Sequence, residues 1–172
     1  MWHGLVKILE ITKKDIDGNV LWRKENILNV LHESGEELLL KALFIGGKSS
    51  NDYIPTNYYF GLDNRLSVSA SDTVDELVEE PTAGTGYVRQ AVPSLNTFTV
   101  TQIGGVYVAQ SPIISFQGVG GSWGPVRNLF LIDKSNNTDA TLISSNNLSS
   151  AITVSNSETI SLRLLLSLRD CP

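Results

Sequence analysis

Residues 159–168 have the sequence TISLRLLLSL, and this stretch decides the fold class. Leucine occupies every second position from Leu162 to Leu168, whereas polar side chains fill most of the positions between them. Leu165 is the one apolar exception. An antiparallel strand with one face in the core and the other in water has this alternation. The stretch therefore predicts a half-buried β-strand.

Earlier in the chain, short runs rich in Val, Ile, Phe, Tyr and Thr are separated by Gly, Pro, Asn and Ser at intervals of roughly ten residues. These runs predict strands at residues 87–92, 98–103, 106–110, 113–116, 126–132 and 141–145. The Ser- and Asn-rich stretches 144–150 and 153–157 are predicted to be loops. Residues 129–132 are apolar on both faces, which predicts a central strand or one covered by a helix or a neighbouring subunit.

The first strands form a predicted hairpin. Residues 5–12, LVKILEIT, and 20–22, VLW, flank the turn-forming sequence DIDGN at 15–19. Gly18 can adopt positive φ, and the Asp and Asn side chains can bond their own backbone. The same five residues resemble part of a calcium loop, but the Gly comes too early and no Glu follows at the twelfth position. We therefore interpret the sequence as a plain turn.

A helical period follows the hairpin. Between Leu28 and Leu43, apolar residues recur at steps of three and four, and Ser34 with Glu37 matches a capping box. The pattern predicts a helix of about three turns that ends near Ile45. Residues 72–79 predict a second, shorter helix before Pro81, with an acidic loop as the alternative.

These elements predict a mainly β fold: an antiparallel β-sandwich or barrel-like domain with one N-terminal α-helix packed on it and a second short helix as an option. With 172 residues, of which 41% are hydrophobic, the chain can close one core. We expect a single β-rich domain over residues 1–172. Its parts would be an N-terminal hairpin and helix at 1–47 and a β-sandwich body at 53–172.

Composition excludes several classes of protein. The formal net charge of −5 gives no basic footprint for nucleic acid, and no run approaches the roughly 18 apolar residues of a membrane span. We expect a soluble, unprocessed chain with neither partner. Cys171 is the only cysteine, so an intramolecular disulfide and a cysteine-based zinc site are excluded.

Catalytic patterns are weak. Residues 120–124, GGSWG, match the nucleophile elbow around Ser122, but that motif needs a helix after the serine and a histidine downstream. The only histidines, His3 and His32, precede it. Five acidic residues between 72 and 80 could form a glycosidase pair or a metal site, but a solvated acidic face is the preferred interpretation. We predict no enzyme activity, no cofactor and no metal.

Interaction and packing candidates are mostly aromatic: Trp2, Trp22, Tyr58, Tyr59, Trp123 and Leu165. Trp123 is expected to be buried among glycines, and Trp2 is either an anchor against a partner or disordered. Leu165 would contact a second copy or belong to the core. On exposed loops, Tyr53, Tyr58, Tyr59 and Trp22 would suit stacking against a host glycan or protein.

Three segments resemble virion structural proteins of tailed bacteriophages: NYYFGLDN at 57–64, GYVRQAV at 86–92 and GSWGPVRNLF at 121–130. That group carries a YxGL strand, a GYxRxAV strand and a late WGxV turn that leads into an apolar strand. The opening is also similar to theirs, with an Asp-Gly-Asn hairpin, an exit from Trp22 to Leu28 and a first helix. These motifs are structural and contain no catalytic residues.

The resemblance implies a non-enzymatic virion protein made in the host cytoplasm. A capsid decoration (cement) protein that forms local homo-oligomers is the leading expectation. Its partners would then be the major capsid protein or other virion proteins. A tail, neck or baseplate accessory is the alternative, as is a receptor-binding or adhesion module that contacts a host surface receptor.

Overall fold

A computed structural model describes residues 2–40, 42, 55–81, 85–93, 97–103, 105–136 and 139–170. In these ranges the chain forms ten strands and one α-helix, α1 (Glu33–Leu40). The strands are β1 (Trp2–Lys14), β2 (Val20–Leu31), β3 (Asn57–Asp63), β4 (Gln90–Pro93), β5 (Thr99–Ile103), β6 (Val106–Gln110), β7 (Ile114–Gln117), β8 (Trp123–Ile132), β9 (Leu142–Val154) and β10 (Thr159–Asp170).

Two antiparallel sheets share strand β2. The continuous order is β4-β3-β8-β9-β2-β1-β10-β6-β5, with β7 also paired to β10. The body of β2 pairs with β1, whereas its last residues, Val30 and Leu31, pair with Ser145 and Ser144 of β9. The first sheet thus contains β5, β6, β10, β7, β1 and β2, and the second contains β2, β9, β8, β3 and β4. The prediction of a mainly β, antiparallel fold is confirmed.

The main core lies between the two sheets. The first sheet contributes Ile11 and Leu162, and the second contributes Leu131 and Ile143, all nearly inaccessible to water. Trp123 is 4% exposed in the same cluster, where its ring meets Tyr87 edge-on at 6.0 Å.

A second apolar cluster covers the outer face of β8 and β9. Phe130, Ile132 and Leu142 pack there against apolar side chains of residues 66–80, which we call the acidic segment. Those side chains are Val68, Val74 and Leu77. The two-faced run at 129–132 is therefore central in its sheet, as predicted, and a loop covers its outer face.

The helix differs from the prediction. It is eight residues long and follows two long strands, so its description as an N-terminal helix is not supported. Leu28 and Leu31, whose spacing suggested a helix, lie in β2. The predicted capping box is wrong, because the Ser34 hydroxyl donates to Leu142 O. The predicted extension to Ile45 lies outside the described residues except for Ala42.

Two further predictions need correction. The second helix is reduced to a single 3-10 turn, Val74–Glu76, in an otherwise irregular acidic segment. Residues 144–150 form the middle of β9 instead of a loop, and 153–154 close the same strand. Ser144, Ser145 and Asn146 are buried there because β9 pairs with strands on both sides.

Candidate functional site

The aromatic candidates lie in strands. Trp22 is partly buried against the main core, Tyr58 meets Phe98 edge-on, and Tyr59 packs on the second cluster. The prediction that these side chains lie on exposed loops is therefore wrong for all three. Tyr53 lies outside the described residues.

The other three candidates, Trp123, Leu165 and Trp2, are β-strand residues as well. Leu165 is 6% exposed, on the face of β10 opposite the core residue Leu164. Trp2 pairs through its backbone with Asp170 at the start of β1, and its side chain lies outside the description.

The described surroundings of Ser122 differ from those of a nucleophile elbow. Ser122 is exposed and is followed at once by strand β8, where the elbow motif requires a helix. His32 instead lies beside Ser145, with His32 Nε2 2.8 Å from Ser145 Oγ. Both side chains are almost completely buried. Sequence spacing gave no signal for the contact, because His32 and Ser145 are 113 residues apart in the chain.

The acidic segment is held to the sheet by polar side chains at its ends. Buried Asp63 accepts hydrogen bonds from the Arg65 backbone at 3.0 Å and the Glu79 backbone at 3.3 Å. Asn147 makes two bonds to the backbone of Val68, at 2.8 and 3.0 Å. His32 Nδ1 lies 3.0 Å from Ala70 O. The segment is thus a fixed cover, with its backbone pinned to β3, β9 and the residue that precedes α1.

The carboxylates of the acidic segment divide into two groups. Asp72 accepts from Ser69 and pairs with Arg65, and Glu80 pairs with Arg89. Asp75, Glu76 and Glu79 are exposed. Within the described ranges, no group of three or more His, Cys, Asp or Glu side chains is arranged to hold a metal ion.

The turn at residues 15–19 satisfies its own polar groups. Asp15 accepts hydrogen bonds from the backbone N–H groups of Asp17 and Asn19 and from the Asn19 side chain. These bonds hold the pKa of Asp15 below its usual value, and the bond from the Asn19 side chain has the largest effect. Gly18 adopts φ of +84°, as the hairpin prediction required. The geometry is that of a plain turn.

The edge strand β5 lies within an uncharged stretch of the chain. Residues 90–126 contain no Asp, Glu, Lys, Arg or His, although the rest of the chain carries all 31 acidic and basic side chains. Strands β5 and β6 form a hairpin within this stretch, which we call the β5–β6 arm. Every residue of β5 is exposed. Such a combination is unusual, because soluble proteins commonly protect exposed edge strands with charged residues.

The β5–β6 arm extends beyond the strand that supports it. In the described part of the chain, only Val108 to Gln110 of β6 pair with β10, so Val106 and Tyr107 pair with β5 alone. Val100 is 72% exposed and Tyr107 is 71% exposed. The register places both side chains on one face of the hairpin, since Gln102 lies opposite Tyr107. Among the described strands, none pairs with the outer edge of β5, so the arm presents an apolar face together with an open strand edge.

A second surface is a groove of about 410 Å³ on the outer face of the first sheet, which we call the sheet-face groove. Its charged lining consists of Glu10, Lys14, Arg23 and Arg163, and its apolar lining includes Leu9, Val20 and Ile113. The strand register explains this assembly. Glu10 lies opposite Arg163, and Thr12 lies opposite Arg23, on the face turned away from Ile11.

The sheet-face groove is positive overall. Arg23 lies 3.0 Å from Glu10, and the hydrogen bond from Thr12, reinforced by the Arg23 charge, holds the pKa of Glu10 below its usual value. Glu10 is therefore ionised at neutral pH. Arg23 also pairs with Glu25 at 2.5 Å beside the groove, so three cationic side chains face two carboxylates. Sequence reasoning missed this groove because its residues come from distant strands. The absence of charge that marks the β5–β6 arm was visible in the sequence.

In the described part of the chain, no helix is both long and apolar enough to cross a membrane. A scan of family models and a search of curated proteins found no match to this chain.

Proposed function

We propose that this chain is a non-enzymatic structural protein of a bacteriophage particle, a capsid decoration protein that acts through protein–protein contacts. Two lines of reasoning support the proposal: the three segments that resemble tailed-phage virion proteins, and the β5–β6 arm. The arm is the single structural observation that carries it. An uncharged, fully exposed edge strand is prone to aggregate in solution, because it can pair with the edge of another chain. Pairing with a strand of a partner protein would cover this edge and remove that hazard.

The architecture suits this role. Two antiparallel sheets packed in a sandwich-like arrangement, with α1 placed on β9, form a body from which the β5–β6 arm extends. Val100 and Tyr107 supply the apolar and aromatic contacts that are enriched at interface centres. The edge of β5 that no other described strand pairs with offers main-chain hydrogen bonds to an incoming strand. The arm is therefore the surface that we assign to the virion partner.

The test is the copy number of the chain in purified particles, measured by quantitative mass spectrometry against the major capsid protein after tails have been separated from heads. A fixed ratio to the capsid subunit in the head fraction is the expected result. A low copy number in the tail or neck fraction would overturn the decoration role and support a tail, neck or baseplate accessory. Complete absence from particles would overturn the virion role.

A further inference from the structure

We infer that the sheet-face groove of one copy binds the acidic segment of a second copy, in a head-to-tail contact. This contact uses surfaces separate from the β5–β6 arm and goes beyond the proposed function. The argument rests on charge, apolar content and position.

The charges of the two surfaces are complementary. The groove presents Lys14, Arg23 and Arg163, of which Arg23 is already paired with Glu10 and Glu25 of its own chain. Residues 66–80 contain five acidic residues and no Lys, Arg or His. Asp75, Glu76 and Glu79 of that segment are exposed, so their carboxylates can reach a second molecule. Glu76 already accepts hydrogen bonds from the backbone and the hydroxyl of Thr73.

Each surface also has an exposed apolar centre. In the groove, Val20 is 54% exposed and Ile113 is 62% exposed. In the acidic segment, Val78 is 74% exposed and is flanked by Glu76 and Glu79. Seating Val78 between Val20 and Ile113 would bury apolar area while the flanking carboxylates meet the cations. A central apolar contact with a charged rim is the usual anatomy of a protein–protein interface.

The two surfaces lie on opposite sides of the molecule. The groove is on the outer face of the first sheet, and the acidic segment covers Phe130 and Leu142 on the outer face of the second. One copy therefore cannot fill its own groove. A contact between different patches is heterologous, and repetition closes a ring or continues as a row of subunits.

The acidic segment needs little reorganisation to bind. Its backbone is already fixed by Asp63, Asn147 and His32. A preorganised segment avoids much of the ordering cost of association.

The experiment is sedimentation velocity and light scattering on the full chain over a range of protein and salt concentrations. We expect concentration-dependent association that weakens as salt rises, because exposed charges are screened beyond about 8 Å at physiological ionic strength. A wild-type chain that stays monomeric at high concentration and low salt would overturn the inference.

Charge-reversed variants identify the contact. A groove variant with Lys14→Glu and Arg163→Glu, and a segment variant with Asp75→Lys and Glu79→Lys, should each associate about 100-fold more weakly, since like charges then face each other. An equimolar mixture of the two variants should associate again, because the reversed groove fits the reversed segment. Lys134→Glu changes the net charge as much as Arg163→Glu does, at an exposed turn outside both surfaces, and should leave association unchanged.

Circular dichroism and urea unfolding of each variant establish that it is folded before its association is compared. Two folded variants that associate like wild type, or a mixture that stays monomeric, would each overturn the contact. The outcome is separable from that of the proposed function. Association in solution together with absence from particles would sink only the virion role, and incorporation into particles of a chain that never self-associates would sink only this inference.

Discussion

His32 Nε2 lies 2.8 Å from Ser145 Oγ in the interior of the protein, where neither side chain is more than 1% exposed. The other ring nitrogen, Nδ1, lies 3.0 Å from Ala70 O, which can only accept a hydrogen bond. Nδ1 must therefore carry the proton, and Nε2 of the neutral ring accepts from the Ser145 hydroxyl. This bridge joins β9 to the acidic segment and fixes one tautomer of the imidazole.

Stability should decrease as the pH falls below about 6.5, the ordinary pKa of histidine. Burial lowers the pKa of His32, against the opposing effects of the Ala70 carbonyl and the Asp72 carboxylate. Below pH 6.5 the unfolded chain therefore binds a proton at His32 that the folded chain does not bind. The free energy of unfolding decreases by up to about 1.4 kcal/mol for each pH unit until the pKa of His32 in the folded protein is reached. Urea unfolding between pH 8 and pH 5 measures this slope.

His32→Gln should flatten that dependence, while His3→Gln, at the other histidine of the chain, should preserve it. An equal slope in wild type and His32→Gln would show that other groups control the pH response.

Asp63→Asn should destabilise the protein by about 3 kcal/mol. Asp63 is fully buried and accepts from Arg65 N, Arg65 Nε and Asn128 Nδ2 through one oxygen, and from Glu79 N through the other. In Asp63→Asn the side-chain NH₂ group replaces one of the two accepting oxygens and therefore faces N–H groups that need an acceptor. The substitution also removes the negative charge that faces Arg65. Urea unfolding gives the loss, and hydrogen exchange should show faster exchange over residues 66–80.

Asp75→Asn is the matched control for Asp63→Asn. Asp75 is exposed in the same segment, so the free energy of unfolding of the Asp75→Asn variant should differ from that of wild type by less than about 0.5 kcal/mol. If both variants lose the same stability, the buried carboxylate is not what holds the segment.

The sequence predicted best those elements whose signal is local. Alternating leucines located β10, and the DIDGN turn located the first hairpin, because side-chain period and turn chemistry act over a few residues. The helix prediction was wrong at Leu28 and Leu31, because their three-residue spacing fits a helix although both residues lie in strand β2. The Ser- and Asn-rich centre of β9 has no apolar alternation, and only its pairing with neighbouring strands makes it a strand.

The candidate surfaces divide in the same way. The β5–β6 arm is contiguous, so its lack of charge can be read from residues 90–126. The sheet-face groove joins Arg23 of β2 to Arg163 of β10 across β1, and only the strand register places them on one face. The groove therefore cannot be predicted from the sequence unless the strand register is known.

Gly35→Ala should destabilise the protein by about 1–3 kcal/mol, although alanine is intrinsically the better helix former by about 1 kcal/mol. A Cβ at position 35 would collide with the backbone of Ile143, on which α1 rests. Thermal or urea unfolding shows whether the substitution lowers or raises the free energy of unfolding. Glu36→Ala, at the next and exposed position, should cost less than about 1 kcal/mol. A stabilised Gly35→Ala variant would contradict the close contact between α1 and β9.

Replacing Val100 and Tyr107 together by lysine should leave the free energy of unfolding within about 0.5 kcal/mol of wild type, because both side chains are more than 70% exposed. The same variant should lose incorporation into particles, since two charges then lie on the face assigned to the partner and must be desolvated on binding. Particle-bound and free protein can be compared by mass spectrometry after complementation with each variant. Ile16→Lys alters an apolar residue that is 76% exposed in the β1–β2 turn and should be incorporated normally. Equal incorporation of the arm variant and wild type would show that the virion contact lies elsewhere on the protein.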